Sequence, residues 1–241
     1  MPFAIISDVH GNLEALDAVL KDIRTYHKGD ILFLGDSVGY GPEPGECIKT
    51  LRDETRVMLA GNHDWAVIGR TDIGYFNPYA RSAIEWTMKV LSDEDRSFLE
   101  GLPVFKRIRD EDIFLVHSTP KEPEEWHYLI TTWDAHINFY YFDERICLLG
   151  HSHQPVIIER TAEGELHIYR QHVELRNGCR YIVNVGSVGQ PRDGNPQASY
   201  ALLGRDYIEI KRVSYDILST QRKMREAGLP EELIERLARG R

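Results

Sequence analysis

The stretch that decides the fold is Phe3-Ala4-Ile5-Ile6-Ser7-Asp8-Val9-His10-Gly11-Asn12, an apolar run followed at once by metal-capable side chains. A run this short suits a strand buried on both faces better than a helix. The pattern recurs at four more places along the chain: Ile31–Leu34 before Gly35-Asp36, Val57–Ala60 before Gly61-Asn62-His63-Asp64, Ile113–Val116 before His117-Ser118, and Ile146–Leu149 before Gly150-His151-Ser152-His153. The sequence therefore predicts five buried strands with polar groups at their carboxyl ends.

Helical segments lie between the first three of these strands. Residues 12 to 27 carry apolar side chains at helical spacing behind Asn12, a good N-cap residue, and Pro44–Arg52 repeats that spacing. Alternating strands and helices predict a parallel α/β sheet with helices on its faces. Because the carboxyl ends of parallel strands line one crevice, we expect the Asp, Asn and His side chains to converge there.

The later part of the chain changes character. A further buried strand is expected at Tyr181–Val183, and a second, more antiparallel sheet is expected from four runs: Val156–Glu159, Glu165–Glu174, Ser199–Leu203 and Tyr207–Val213. Two helices, Tyr215–Ala227 and Glu231–Ala238, close the chain. We predict a single domain over residues 1–241, with cap-like insertions near residues 65–102, which are helical, and 119–145, which are rich in aromatics.

Composition narrows the function. A net charge of −9 over 241 residues disfavours a nucleic-acid polymer as partner, but bound divalent metals can still attract phosphate to an acidic pocket. The three cysteines are widely spaced and give no disulfide framework or thiolate zinc site. No signal peptide or membrane-spanning stretch is recognisable, so we expect a cytoplasmic protein without a membrane partner. The sequence does not indicate an oligomeric state.

The residue types at the strand ends indicate metal chemistry. Alone, each is ordinary, since an Asp in a turn or a lone His at a strand end is common. Together they make seven candidate ligands, too many for one ion: Asp8, His10, Asp36, Asn62, His117, His151 and His153. Imidazole and oxygen ligands without thiolate suit manganese, iron or zinc, with cobalt and nickel as alternatives. Two such ions close together can activate water against a phosphate ester.

In this order the motifs resemble those of the calcineurin-like metallophosphoesterase superfamily. The segments Gly35–Pro42 and Asn184–Gly189 are similar to its small prokaryotic phosphoesterases. The resemblance implies a four-layer α/β/β/α sandwich of two mixed sheets flanked by helices. It also implies a first metal held by Asp8, His10, Asp36 and His153, a second held by Asp36, Asn62, His117 and His151, and His63 as the general acid that protonates the leaving oxygen.

The sequence departs from one branch of that superfamily. Gly39 and Tyr40 stand where serine/threonine phosphatases carry an Asp that orients the catalytic histidine and an Arg that grips the phosphate. Asp64 is a candidate substitute for the Asp. Arg192 is a candidate phosphate contact, with a solvated loop arginine as the alternative, and Tyr40 either reaches the pocket or only packs. The aromatics of residues 119–145 either stack on a nucleobase or form the core of a small cap.

These features predict a dinuclear-metal-dependent hydrolase in which metal-activated water attacks phosphorus in-line. We expect a phosphodiesterase or phosphomonoesterase that acts on small soluble substrates, possibly nucleotides. A protein serine/threonine phosphatase is the alternative within hydrolases. A non-catalytic metal-binding scaffold is the alternative of another class.

Overall fold

The computed structural model describes residues 2–241, in which the strands form two six-stranded mixed sheets. The first sheet has the spatial order β3 (Val57–Met58), β2 (Asp30–Phe33), β1 (Phe3–Ile6), β11 (Ala198–Leu203), β12 (Tyr207–Val213), β9 (His172–Glu174). The second has the order β4 (Phe105–Ile108), β5 (Ile113–Val116), β6 (Ile146–Leu149), β10 (Arg180–Asn184), β7 (Val156–Arg160), β8 (Leu166–Tyr169).

Most α-helices of the described chain lie in the predicted helical segments, but one lies in residues 119–145, where none was predicted. They are α1 (Leu13–Tyr26), α2 (Pro44–Glu54), α3 (Asn62–Val67), α4 (Pro78–Val90), α5 (Asp93–Glu100), α6 (Thr132–Asn138), α7 (Ile217–Glu226) and α8 (Glu231–Leu237), with 3-10 turns at Ile73–Tyr75, Arg109–Glu111 and Pro123–Glu125. The predicted cap of α1 is confirmed, because Asn12 Oδ1 accepts a hydrogen bond from the Ala15 amide at 3.2 Å. Within residues 2–241, none of these helices is long and apolar enough to cross a membrane.

Three apolar layers confirm the four-layer α/β/β/α sandwich. The central layer joins the inner faces of the two sheets, with Ile5 of β1 and Leu148 of β6 in one cluster. The outer face of the first sheet packs on α1 through residues such as Leu16. The outer face of the second sheet packs on the segment around α6, through residues such as Phe139. Most strands are therefore buried on both faces, which explains their unbroken apolar runs.

The predicted division of strands between the sheets is wrong. The five strands that precede the metal-capable residues are split, three in the first sheet and two in the second. Moreover, β11 and β12 extend the first sheet, with β11 antiparallel to β1 (Phe3 opposite Leu203). The predicted strand Glu165–Glu174 breaks at Arg170–Gln171 into β8 and β9, which lie in different sheets. Because both sheets bury both faces, apolar patterning alone does not distinguish them.

The two predicted insertions differ in structure. Residues 62–100 contain α3, α4 and α5, whose apolar side chains pack together with Val38 and Ile48. The aromatics of residues 119–145 do not form the core of a separate small cap, which was one of the two alternatives for them. Phe139 and Phe142 instead pack on the second sheet, because its outer face is apolar and needs covering.

Candidate active site

The two sheets bring the predicted residues together at one edge of the sandwich. Asp8 and His10 follow β1, Asp36 follows β2, and Asn62 and His63 begin α3 in the first half of the molecule. His117 follows β5, and His151 and His153 follow β6 in the second sheet. All eight side chains are buried. Direct contacts join the halves, since the His151 amide donates to Asp8 Oδ2 at 3.0 Å.

The backbone of this edge is strained at the candidate ligands. Five of the seven have positive φ, a region that non-glycine residues rarely adopt: Asp8 (55°), His10 (51°), Asp36 (59°), His151 (64°) and His153 (58°). Each such residue costs roughly 1–3 kcal/mol and persists only where the surroundings enforce it. Strain concentrated at five polar, buried positions is typical of a functional site.

Backbone carbonyls orient three of the imidazole rings. His10 Nδ1 lies 2.9 Å from Val38 O, His117 Nδ1 lies 2.9 Å from Leu34 O, and His153 Nδ1 lies 2.5 Å from Gln190 O. Since a carbonyl only accepts, each Nδ1 carries the proton and each Nε2 turns its lone pair into the site when the ring is neutral. This arrangement is common for metal-binding histidines.

The first group of facing ligand atoms is Asp8, His10 and His153. His153 Nε2 lies 3.1 Å from His10 Nε2 and 3.2 Å from Asp8 Oδ1, and His10 Nε2 lies 3.6 Å from Asp36 Oδ2. Two imidazole lone pairs and two carboxylate oxygens facing one another at these distances repel each other unless a cation lies among them. The residues therefore fit a divalent metal ion.

The second group is Asp36, His117 and His151. A further group, His10, Asp36 and His63, connects the two, because it shares His10 with the first and Asp36 with the second. His117 Nε2 lies 3.4 Å from Asp36 Oδ2. His151 Nε2 lies 2.9 Å from the carbonyl oxygen of Trp126, so that its other ring nitrogen is the one available to the site. Within the described chain, Asn62 Oδ1 is buried without a hydrogen-bond partner. A buried acceptor that has no hydrogen-bond partner and lies beside these ligands is consistent with a second bound ion.

Burial and mutual charges set the protonation of the ligands. Burial lowers the pKa of His10 and His153, and lowers that of His151 to about 3, which keeps these rings neutral. Burial also acts to lower the pKa of His117, but the negative charge of Asp36 outweighs it and raises the pKa to about 9. A metal ion at the second group would therefore displace a proton from His117.

His63 is held by packing rather than by a hydrogen bond. Its ring makes contacts with the rings of Tyr40 and Phe76 at centroid distances of 4.5 and 5.0 Å, and its buried Nδ1 has no partner in the described chain. A Cβ on Gly39 would lie 2.3 Å from that Nδ1. Position 39 therefore has no room for any side chain beside His63. Burial lowers the pKa of His63 to about 4.

Asp64 does not orient His63, and that prediction is wrong. Its carboxylate instead accepts hydrogen bonds from the backbone amides of Asp36 (2.8 Å), Ser37 (3.0 Å) and Gly61 (2.9 Å), and from the Ser37 hydroxyl (2.6 Å). These bonds fix the loop that carries Asp36 to the start of α3. Asp64 thus positions Asp36.

A cavity of about 770 Å³ opens beside the cluster and is lined by Asn62, His63 and His151. Tyr40 and Arg192, the two predicted substrate contacts, both line it. Arg192 Nη2 donates to Tyr40 Oη at 3.1 Å and to Gln190 Oε1 at 2.8 Å, so Arg192 is not a freely solvated loop arginine.

Many residues of the cavity wall were not predicted individually, among them Trp126, Tyr128 and Arg236. Trp126 and Tyr128 come from the aromatic insertion, and Tyr128 stacks on His151 at a centroid distance of 4.1 Å. Arg236 comes from α8, at the far end of the chain. No sequence signal marks Arg236, because only the packing of α7 and α8 brings it to the cavity.

Comparison with known proteins agrees with this geometry. A family model described as the calcineurin-like phosphoesterase superfamily domain matches residues 1–206. The chain belongs to the calcineurin-like phosphoesterase superfamily. An uncharacterized protein of Methanocaldococcus jannaschii is 43% identical, over 99% of this chain and 98% of its own length.

Solved structures give the same result. A metallophosphoesterase from Sphaerobacter thermophilus is 44% identical, with a TM-score of 0.87 and 100% of each chain covered. A hypothetical protein from Pyrococcus horikoshii OT3 is 22% identical, with a TM-score of 0.80 over 100% of this chain and 98% of its own, and it shares the fold. The present chain is therefore a metallophosphoesterase, a hydrolase of phosphate-ester bonds in a metal-dependent family.

Proposed function

We propose that this metallophosphoesterase hydrolyses small soluble phosphate esters, as a phosphodiesterase or phosphomonoesterase, with two divalent ions bound at the Asp–His cluster. The observation that carries the proposal is the pair of facing ligand groups around Asp36, with Asp8, His10 and His153 on one side and His117, His151 and Asn62 on the other. Two bound ions would supply a water of lowered pKa and offset the negative charge of the phosphate.

We assign the remaining roles in the reaction, proton donation and phosphate binding, to side chains that line the cavity. His63 lines the cavity beside Asn62 and is the candidate donor of a proton to the leaving oxygen. A phosphate bound there brings negative charge next to the ring, which favours the protonated imidazole. Arg192, held by Tyr40, offers its guanidinium to a phosphate oxygen from the same wall.

A small substrate is favoured over a phosphoprotein. The cavity has walls on several sides, and its volume of about 770 Å³ falls within the range typical of small-molecule sites. Trp126 and Tyr128 give one wall an aromatic character that suits a flat group such as a nucleobase. Gly39, the position where a protein phosphatase would carry an Asp, has no space for one.

The test is hydrolysis of bis(p-nitrophenyl) phosphate and p-nitrophenyl phosphate with manganese, before and after chelation. Turnover of at least one ester that stops on chelation and returns with metal is expected. No metal-dependent turnover of either ester would sink the proposal.

Replacement of His63 separates its role from metal binding. His63→Ala is expected to keep the metal content of the unmodified protein and to lose most turnover, about 100-fold or more. Loss of metal from His63→Ala would contradict the acid role and make His63 a ligand. Exposed His167→Ala, on β8, is the matched control and should change neither quantity.

A further inference from the structure

We propose that Trp126 and Tyr128 are positioning residues for His151, so that the aromatic insertion that contains them sets how tightly the second metal position binds its ion. The second position is the group Asp36, His117 and His151. The inference rests on the proposed function, because it needs two ions at the Asp–His cluster. It goes beyond that function because it gives the insertion a part in metal binding as well as a place in the cavity wall.

His151 is oriented by a different part of the chain than the other histidines of the two groups. His10, His117 and His153 each face a carbonyl oxygen that follows β2 or β10 of the sandwich. The Nε2–H of His151 instead donates to the carbonyl oxygen of Trp126 at 2.9 Å. Trp126 lies in the insertion between β5 and β6. The direction of the His151 ring therefore depends on where the insertion places one backbone oxygen.

The ring of Tyr128 fixes the plane of the same imidazole. The rings of Tyr128 and His151 are stacked, with centroids 4.1 Å apart and planes 13° from parallel. A hydrogen bond at one ring nitrogen still allows an imidazole to tilt, and a face-to-face contact with a second ring removes that freedom. The two contacts leave Nδ1 of His151 free and hold it in one direction. The candidate ligand atoms of its group lie within 4.8 Å of one another.

Trp126 also contacts the parts of the chain that carry the other candidate ligands of the second position. Its ring lies edge-on to that of His117 at a centroid distance of 5.9 Å. It packs edge-on against Trp65 at 5.2 Å. Trp65 belongs to α3, the helix that begins with Asn62. A single side chain thus connects the insertion to both sheet and helix at this position, as expected of a residue that supports ligands from outside.

The backbone around Trp126 and Tyr128 is anchored on both sides. Before them, the Ser118 hydroxyl donates to the carbonyl oxygen of Pro123 at 2.9 Å. After them, Leu129 is buried in the apolar cluster on the outer face of the second sheet. Trp126 has a φ of 55°, a conformation that costs a residue with a side chain roughly 1–3 kcal/mol and persists only where its surroundings enforce it. The carbonyl oxygen that His151 uses is therefore held in place before any metal binds.

The test measures manganese binding in the absence of substrate, by equilibrium dialysis with a separate dissociation constant for each ion. Tyr128→Ala removes the stacked ring and leaves the backbone oxygen of Trp126 in the chain. We expect this variant to weaken the second ion about 10- to 100-fold and to leave the first unchanged. Tyr128→Phe keeps the ring and should bind both ions like the unmodified protein.

Electron paramagnetic resonance gives a second readout of the same variants. At a manganese concentration that fills both positions of the unmodified protein, Tyr128→Phe should give the signal of a coupled pair of ions. Tyr128→Ala should give the signal of an isolated ion at the same concentration. A coupled pair in Tyr128→Ala would contradict the proposal, because the second position would then be filled without the stacked ring.

Tyr140→Ala is the matched control, because Tyr140 is an exposed tyrosine of the same insertion whose ring faces the Arg160 guanidinium at 4.8 Å. It should bind both ions unchanged. An unchanged second ion in Tyr128→Ala, or equal weakening of both ions, would overturn the positioning role. Weakening by Tyr128→Phe as large as by Tyr128→Ala would also overturn it. If Tyr128→Ala fails to fold, the same measurement on Tyr128→Leu, which fills the space without a flat ring, decides between these outcomes.

The two proposals fail separately. Two bound ions whose affinities do not depend on Tyr128 contradict the positioning role alone. A second ion that depends on Tyr128, without metal-dependent hydrolysis of either chromogenic ester, contradicts the proposed hydrolysis alone. A single ion in the unmodified protein contradicts the two-ion binding on which both proposals rest.

Discussion

Replacing Gly39 by Ala should separate the position of His63 from the binding of metal. The added Cβ would lie 2.3 Å from His63 Nδ1, whereas ordinary contacts begin at 3.4 Å, so the ring must shift by about 1 Å. A shift of that size in a group that acts on the reacting atoms can cost about 100-fold in rate. Gly39 also has a φ of 131°, which adds strain of roughly 1–3 kcal/mol.

The assay measures kcat on bis(p-nitrophenyl) phosphate together with metal content and the free energy of unfolding. Gly164→Ala is the control, because Gly164 has a φ of 90° but its Cβ would meet open space. Gly164→Ala should lose comparable stability and keep its kcat. The Cβ added at position 39 would also lie 3.2 Å from Nδ1 of the candidate ligand His10, a contact that a shift of a few tenths of an ångström relieves. Gly39→Ala should therefore keep its metal and lose about 100-fold in kcat. A metal-loaded Gly39→Ala with unmodified kcat would contradict the catalytic placement of His63.

Two further predictions concern buried carboxylates. Hydrogen bonds from Arg176, and also from Tyr181, lower the pKa of buried Glu159 from 4.5 to about 2. The Glu159 carboxylate therefore stabilises the fold above pH 4.5, and this stabilisation is lost as the pH falls towards 2. Between about pH 6 and pH 3, urea denaturation should therefore show about 2 kcal/mol more loss of stability for the unmodified protein than for Glu159→Gln, and parallel curves would contradict this. In Asp64→Asn, the side-chain NH₂ group would face backbone amides that donate hydrogen bonds to Asp64, including the amide of Asp36. Manganese affinity in equilibrium dialysis should therefore fall about 10- to 100-fold. Unchanged affinity would contradict the positioning role of Asp64.

The candidate ligands were predictable because they follow a local rule. Asp8 and Asp36 each come directly after a short apolar run, and parallel strands such as β1 and β2 bring such residues to one edge. The fold class followed from the same rule and from the resemblance that the motifs carry. The helices α1 and α2 were predictable because the apolar spacing of a helix and its capping residue lie within one short stretch of sequence.

The rest depends on contacts between distant parts of the chain. The sheet of each strand could not be predicted, because β5 and β11 are both buried on both faces and read alike. Asp64 adjoins His63 in sequence, yet its carboxylate faces the loop of Asp36, since the helix turns neighbouring side chains apart. Arg236 reaches the cavity only through the tertiary packing of α8, which leaves no local pattern.

The proposed binding of two divalent ions around Asp36 can be tested by metal stoichiometry. The protein would be titrated with manganese, and bound metal per chain would be measured after removal of free ions. We expect two ions per chain in the unmodified protein and less than one in Asp36→Ala, because both metal positions lose the shared carboxylate. A single ion in the unmodified protein, or two retained in Asp36→Ala, would contradict it.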